Sequence, residues 1–395
     1  MKRIGQVVLL SGSILLGAGM LTPFAGSPVI SEASEINMPP VSGFISHDEL
    51  TRELNQIERT SNGNVEVDVV GYSNHNREIY KATVGSGDKV VLIQSEIHGN
   101  EKVGTKALLN MIKKIGKNNS PEMRQLREEV TIVAMPMVNP DGSELNRRGN
   151  ELNWDEVINQ FPQLEGAEPS WNYYTYTNQY WDYASNPGFD VNRDFNPNLN
   201  YVPQFEDFPN NSSEPGWFIT PEAQTIRDVY KDLQEQFGTV DVFIDLHHQG
   251  EYVIDGTDIP VTLSLSGVFV PHPSTPEGEK YSEYADVYNE DFSKQLNVAA
   301  YDALQQMGNS PFGNISLYSQ DLDLPGTALG SFALNGSGAV LFEVTGQTQS
   351  FGQKKMGQLT KAVEEGLYGI LNSLATDEVY ELDVEDYDKI PLTDR

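Results

Sequence analysis

Four apolar runs constrain this chain more than any other feature: VVLIQ at 90–94, VTIVAMPMV at 130–138, VDVFIDL at 240–246 and AVLFEV at 339–344. None alternates polar with apolar residues, as a strand with one wet face must, so each needs cover on both faces. Segments with helical spacing lie between them: GTKALLNMIKKIG at 104–116, TPEAQTIRDVYKDLQEQF at 220–237, a stretch at 281–304 and a last helix near 355–372. Gly116 reads as the stop of the first of these. Strands that alternate with helices predict one large α/β domain.

The ends of the chain read differently. MKR followed by VVLLSGSILLGAGMLTPFAG and a small-residue SEA site predicts an export signal over residues 1–33, with a retained membrane anchor as the alternative. A short stretch, 34–43, leads into the body at 44–365, and the segment 366–395 is acidic and expected to be peripheral. Inside the body an insert at about 151–189 carries WNYYTYTNQYWDY, which either walls a pocket or packs a surface loop onto the domain. A net charge of −31 argues against nucleic-acid binding, which needs basic patches to neutralise phosphates. With no cysteine there is no disulfide, and any metal must be held by histidine and carboxylate.

The chain has six histidines, and two stand at the carboxyl ends of the apolar runs. In an open α/β sheet those ends share one crevice. His98, Glu101 three residues on, and His247 at the end of FIDL therefore come within reach of one point; if the chain turns helical after VVLIQ, His98 and Glu101 face the same way. Two imidazoles and a carboxylate, with a fourth position left to water, make the ligand set of a catalytic zinc site. Read singly, His98 is equally a satisfied structural residue. His248 follows His247 on an extended backbone and points to the opposite face, so the two cannot easily share an ion.

Glu343, directly after VLF, is either a structural acid at a strand end or the base that serves a metal-activated water. Asn192 and Arg193 in DVNRDFNP combine an amide with a planar guanidinium fork, which suits a terminal carboxylate. Arg147 and Arg148 follow NPDG at 139–142; they could stabilise charge developing on a carbonyl oxygen, or serve in surface ion pairs.

In this order, HxxE at His98–Glu101, NPDG at 139–142, RxN at 148–150, NRDFN at 192–196, His247 and Glu343 resemble the zinc metallocarboxypeptidases of the carboxypeptidase A type. The resemblance covers roughly residues 44–365. It implies a single domain with a central eight-stranded mixed sheet flanked by helices, and one zinc ion per chain on His98, Glu101 and His247. It further implies Glu343 as general base, Arg148 at the scissile carbonyl, Asn192 and Arg193 on the substrate's terminal carboxylate, and Tyr318 as a mobile tyrosine that closes over the substrate. The expected activity is hydrolysis of the C-terminal peptide bond by an exported, monomeric enzyme with no membrane or nucleic-acid partner. PGTALGSFAL at 325–334 leans it toward apolar or aromatic terminal side chains. The alternatives are a cell-wall (murein or γ-glutamyl) peptidase on the same scaffold, a deacylase or esterase, and a non-catalytic secreted binding protein.

Overall fold

Each of the four apolar runs is a strand of one sheet in the computed structural model, which describes residues 43–178, 181–306, 314–346 and 352–395. The export signal and all but Gly43 of the stretch after it lie outside the described residues. Among the described residues no helix is long and apolar enough to cross a membrane.

The sheet has eight strands: β1 (Val65–Tyr72), β2 (Glu78–Val84), β3 (Lys89–Ser95), β4 (Val130–Met135), β5 (Val242–Gln249), β6 (Leu263–Ser266), β7 (Ile315–Leu317) and β8 (Gly338–Thr345). Their order across the sheet is β1-β2-β4-β3-β5-β8-β6-β7. The central pairs β4–β3, β3–β5 and β5–β8 are parallel, with antiparallel pairs β1–β2, β2–β4 and β8–β6, so the sheet is mixed as expected. Strand alternation feeds two cores at once. Val91, Ile93, Ile244 and Phe342 enter one, beneath helices Val103–Lys117 and Gly352–Ala375. Val90, Leu92, Phe243 and Leu341 enter the other, beneath helices Pro221–Phe237 and Ala328–Leu334. This double cover is why the runs carry no polar alternation.

Three expectations need correcting. Gly116 does not end its helix, which runs to Lys117; a Cβ there would sit 2.5 Å from Val65 Cγ2, so the glycine serves close packing on β1. The stretch at 281–304 is not one helix. A 3-10 turn at Glu279–Tyr284 is followed by a helix at Glu290–Gln305, because Asn289 leaves helical geometry (φ −128°) and its side chain caps the Phe292 N–H. The segment 366–395 is not peripheral either: the boundary at 365 falls inside helix Gly352–Ala375, whose Leu367, Ile370, Leu371 and Leu374 are buried. Beyond it Val379, Tyr387 and Ile390 are buried between acids that remain in solvent, and the Tyr387 hydroxyl accepts the Gly267 N–H at 3.1 Å.

The aromatic insert packs onto the body. Trp154, Phe189 and Trp217 form the centre of a separate cluster, with Trp171, Tyr173 and Phe208 against it. Its Tyr183 hydroxyl accepts the Gly149 N–H at 2.9 Å, and the Arg147 guanidinium lies 4.4 Å from the Tyr183 ring centre.

Glu222, in the first turn of helix Pro221–Phe237, is fully buried. Its Oε2 accepts from Asn150 Nδ2 at 2.8 Å, while Oε1 has no partner. Burial, reinforced by Asp141 and Asp194, pushes its carboxyl up to about 8. The folded chain therefore keeps a proton there that the unfolded chain releases near its ordinary value of 4.5. Across that window this group's contribution to stability falls as pH rises, by about 1.4 kcal/mol per pH unit. Glu222→Gln keeps the shape and removes the titration. Urea unfolding at stepped pH should show the variant gaining on the parent from pH 5 to 8; parallel curves would contradict this.

Candidate metal centre and active site

The loop after β3 is built by close backbone approach. Asn139 donates from Nδ2 to the Ile97 carbonyl at 3.0 Å and accepts the Gly142 N–H at 2.9 Å, which locks NPDG against the segment carrying His98. A Cβ on Gly99 would meet the Gly142 carbonyl carbon at 2.0 Å, so only glycine fits. Glu96, a non-glycine residue, takes φ +56°, the kind of local strain that accompanies functional sites. His98 to Glu101 is a turn, closed by the Glu101 N–H on the His98 carbonyl at 3.0 Å; the helix starts at Val103. The two side chains converge through this turn rather than through a shared helix face.

His98, Glu101 and His247 come together as the only group of metal-ligand type found among the described residues. His98 Nδ1 lies 3.1 Å from His247 Nδ1 and 3.1 Å from Glu101 Oε2, and His247 Nδ1 lies 2.8 Å from the same oxygen. All three residues are buried, at 4% exposure or less. Ligand atoms of a tetrahedral zinc site stand about 3.3 Å apart, so the trio needs to spread only slightly to take the ion. Two ring nitrogens aimed at each other and at one carboxylate oxygen bring together lone pairs that a cation satisfies better than a single shared proton. The donor set fits zinc. Burial opposes the charge on Glu101, but His98 and His247 hold its carboxyl well below the usual range. Burial likewise opposes charge on His247, and Asp245 and Glu101 outweigh it, raising the imidazole well above its ordinary value.

Two acids that sequence reading passed over hold the imidazoles from behind. Asp190 Oδ1 is 3.1 Å from His98 Nε2, and Asp245 Oδ2 is 2.8 Å from His247 Nε2. Asp245 was discoverable: it stands two residues before His247 on β5, and a period of two puts both on one face. Asp190 lies within DVNRDFNP, yet no spacing rule links it to a residue 92 positions away.

The remaining candidates take distinct places. Glu343 on β8 is the register partner of His247 on β5, and its buried Oε2 has no partner. Burial, with Glu101 nearby, pushes its carboxyl up to about 8 against the pull of His247. Arg148 aims Nη1 at the trio, 3.2 Å from His98 Nδ1 and 3.8 Å from Glu101 Oε1, while its Nε donates to Asp190 Oδ2 at 2.9 Å. Its neighbour Arg147 is buried and spends its guanidinium on the carbonyls of Asn150, Asn186 and Pro187, which makes it a loop brace. Asn192 is already engaged: Oδ1 accepts the Ala328 N–H at 3.0 Å, and Nδ2 lies 3.2 Å from His247 Nε2. Arg193 donates to the Asn192 carbonyl at 2.6 Å and is only partly buried. Tyr318 leaves β7 with its N–H on the Leu265 carbonyl at 2.8 Å, close enough for the charge on Glu343 to act on its hydroxyl. His248 faces away, as expected; its ring lies between the Val103 N–H at 3.0 Å and the Gly346 carbonyl at 2.9 Å, and burial lowers it to about 4.

Comparison with known proteins bears on family and fold. The sequence model of a family described as zinc carboxypeptidase matches residues 50–361. Carboxypeptidase D of Mus musculus is 33% identical over 92 residues, 21% of this chain; the match spans 7% of that relative's length. Among solved structures, a metallo-carboxypeptidase from Burkholderia cenocepacia superposes with a TM-score of 0.50 at 17% identity, covering 85% of this chain and 70% of the other. Carboxypeptidase A from Helicoverpa armigera gives 0.55 at 16%, covering 84% and 74%. At these identities the two structures speak for the fold.

Asp190 orients His98 and anchors Arg148. Partners of this kind commonly contribute about 10–100-fold to metal affinity. Asp190→Asn should weaken zinc binding by that order in competition with a fluorescent zinc chelator, with the circular-dichroism spectrum unchanged. Undiminished affinity would remove the holding role.

Proposed function

This chain belongs to the zinc carboxypeptidase family, and on that premise we propose that it hydrolyses the C-terminal peptide bond of peptides or proteins. One observation carries the reading: a buried His98–Glu101–His247 trio has the unpartnered carboxylate of Glu343 in register beside it. In this reading the trio holds the zinc, which when bound supplies Lewis-acid polarisation of the scissile carbonyl and acidification of a water.

The protein groups do the rest. Glu343 takes a proton from the attacking water and delivers it to the leaving amine; a base so placed commonly contributes about 10²–10⁴-fold. Its carboxyl must be ionised to begin, and a dication beside it lowers the carboxyl from the value that burial alone produces. Arg148 directs N–H groups at the oxygen on which negative charge grows. Arg193 receives the substrate's free carboxylate, with Asn192 at its side offering its Nδ2 hydrogens. Tyr318 closes over the bound residue. The segment PGTALGSFAL, which meets Asn192 through the Ala328 N–H, carries no acid, and this leans the proposal toward an apolar or aromatic terminal side chain. Loss of residues 1–33 leaves an exported monomer in the same proposal.

The clamp on a free carboxylate separates an exopeptidase from a deacylase or esterase. A blocked dipeptide with a free C-terminus should be cleaved, and its C-terminal amide should be left essentially intact. Arg193→Gln should cost the acid substrate about 100-fold in kcat/KM, the consequence of leaving a charged hydrogen-bonding group without its partner, and so narrow the gap. Equal cleavage of acid and amide by the parent enzyme would sink the exopeptidase reading while leaving the metal site intact.

A further inference from the structure

The segment beyond helix Gly352–Ala375 returns to the active site. At the edge of the sheet it docks on β7: the Leu317 N–H donates to the Pro391 carbonyl at 2.7 Å, and Leu392 bridges Leu317. Thr393–Asp394 pairs antiparallel with Val253–Ile254. Thr393 Oγ1 donates to the Leu317 carbonyl at 2.6 Å and stands 2.8 Å from both Ser264 Oγ and Ser316 Oγ. Ser264 is the register partner of Glu343, so Thr393 is held one strand from the proposed base.

What this docking delivers is Arg395. Its guanidinium lies over the Tyr318 ring, 4.0 Å from the centre, and 5.1 Å from the centre of the Tyr252 ring. Nη1 donates to Ser319 Oγ at 3.2 Å. Every one of these contacts is uncharged, and among the described residues no aspartate or glutamate side chain pairs with Arg395 within 4.0 Å. The chain has 57 acidic residues against 26 lysines and arginines, so a solvent-facing guanidinium without an acidic partner runs against its composition. Contact with the rings and hydroxyls of Tyr318 and Tyr252 fixes the group in place without neutralising it, leaving its remaining donors for a planar anion.

The anion's place follows by elimination. In the proposed function the terminal residue of the substrate is taken by Arg193, with Tyr318 closing over it. Arg395 sits on the Tyr318 ring and its charge reaches Glu343, so in this reading the neighbour that faces it is the residue on the acyl side of the scissile bond. We propose that Arg395 is a specificity-determining residue that recognises a carboxylate carried by the acyl-side residue. Two sources share this chemistry: the side chain of an α-linked glutamate or aspartate, and the α-carboxylate of a γ-linked glutamyl residue. The proposal rests on the carboxypeptidase reading and narrows its substrates.

The test uses the full chain and isosteric substrate pairs. Hydrolysis of blocked-Glu-Phe is compared with blocked-Gln-Phe, and γ-glutamyl-Phe with its α-amide. The parent enzyme should favour the charged member of at least one pair by roughly tenfold in kcat/KM at low salt, the preference shrinking as salt is added. Whichever pair shows it names the source. Arg395→Gln should bring that ratio close to one, and Arg395→Glu should invert it. A parent ratio near one in both pairs overturns the proposal, as does an Arg395→Gln variant that slows both members equally and keeps the ratio, since that is the mark of a residue that merely steadies Tyr318. No hydrolysis of any of the four substrates by the parent enzyme would overturn the carboxypeptidase reading itself.

Discussion

The arrangement depends on one costly juxtaposition: two imidazoles and a carboxylate buried with their lone pairs converging within 3.1 Å. Buried polar groups are tolerated only when satisfied. Behind this trio stand the carboxylates of Asp190 and Asp245, 3.1 and 2.8 Å from the far ring nitrogens, while the front faces the position of an ion. The large double core supports such a site, because His98 follows β3, buried from Val90 to Ser95, and His247 lies on β5, buried throughout.

The second tier explains how distant parts of the sequence act together. Asp190 touches His98 and Arg148 at once, and its carboxylate also accepts the Asn192 N–H at 3.1 Å. Asn150, the last residue of RxN, exchanges hydrogen bonds with Phe189 just before Asp190 and reaches Glu222. The aromatic insert joins these two strips of backbone through Tyr183 and the buried Arg147. Glu222, with no contact to the trio, braces Asn150 two residues from Arg148.

Much of this was legible in the sequence for physical reasons. Short apolar runs that alternate with helical segments read as strands covered twice, and strand ends at one side of such a sheet share one crevice, which brings His98 and His247 together from the sequence. His248 facing away follows from the period of two. What stayed hidden depends on tertiary contact. The roles of Arg147 and Arg148 differ by one position, and only the carbonyls that trap Arg147 distinguish them. Gly116 looked like a helix stop because its packing partner, Val65, lies 51 positions away. The last segment looked peripheral because residues 377–388 carry seven acids, yet Val379, Tyr387 and Ile390 are spaced to tie it down.

The most direct test of the central claim is anomalous diffraction at the zinc edge from crystals of the zinc-loaded protein. One strong peak per chain is expected, bonded to His98 Nδ1, His247 Nδ1 and a Glu101 oxygen, with Asp190 and Asp245 still on the opposite ring nitrogens. A zinc peak elsewhere, or none at this trio under saturating zinc, would return His98, Glu101 and His247 to the role of an ordinary buried hydrogen-bond cluster.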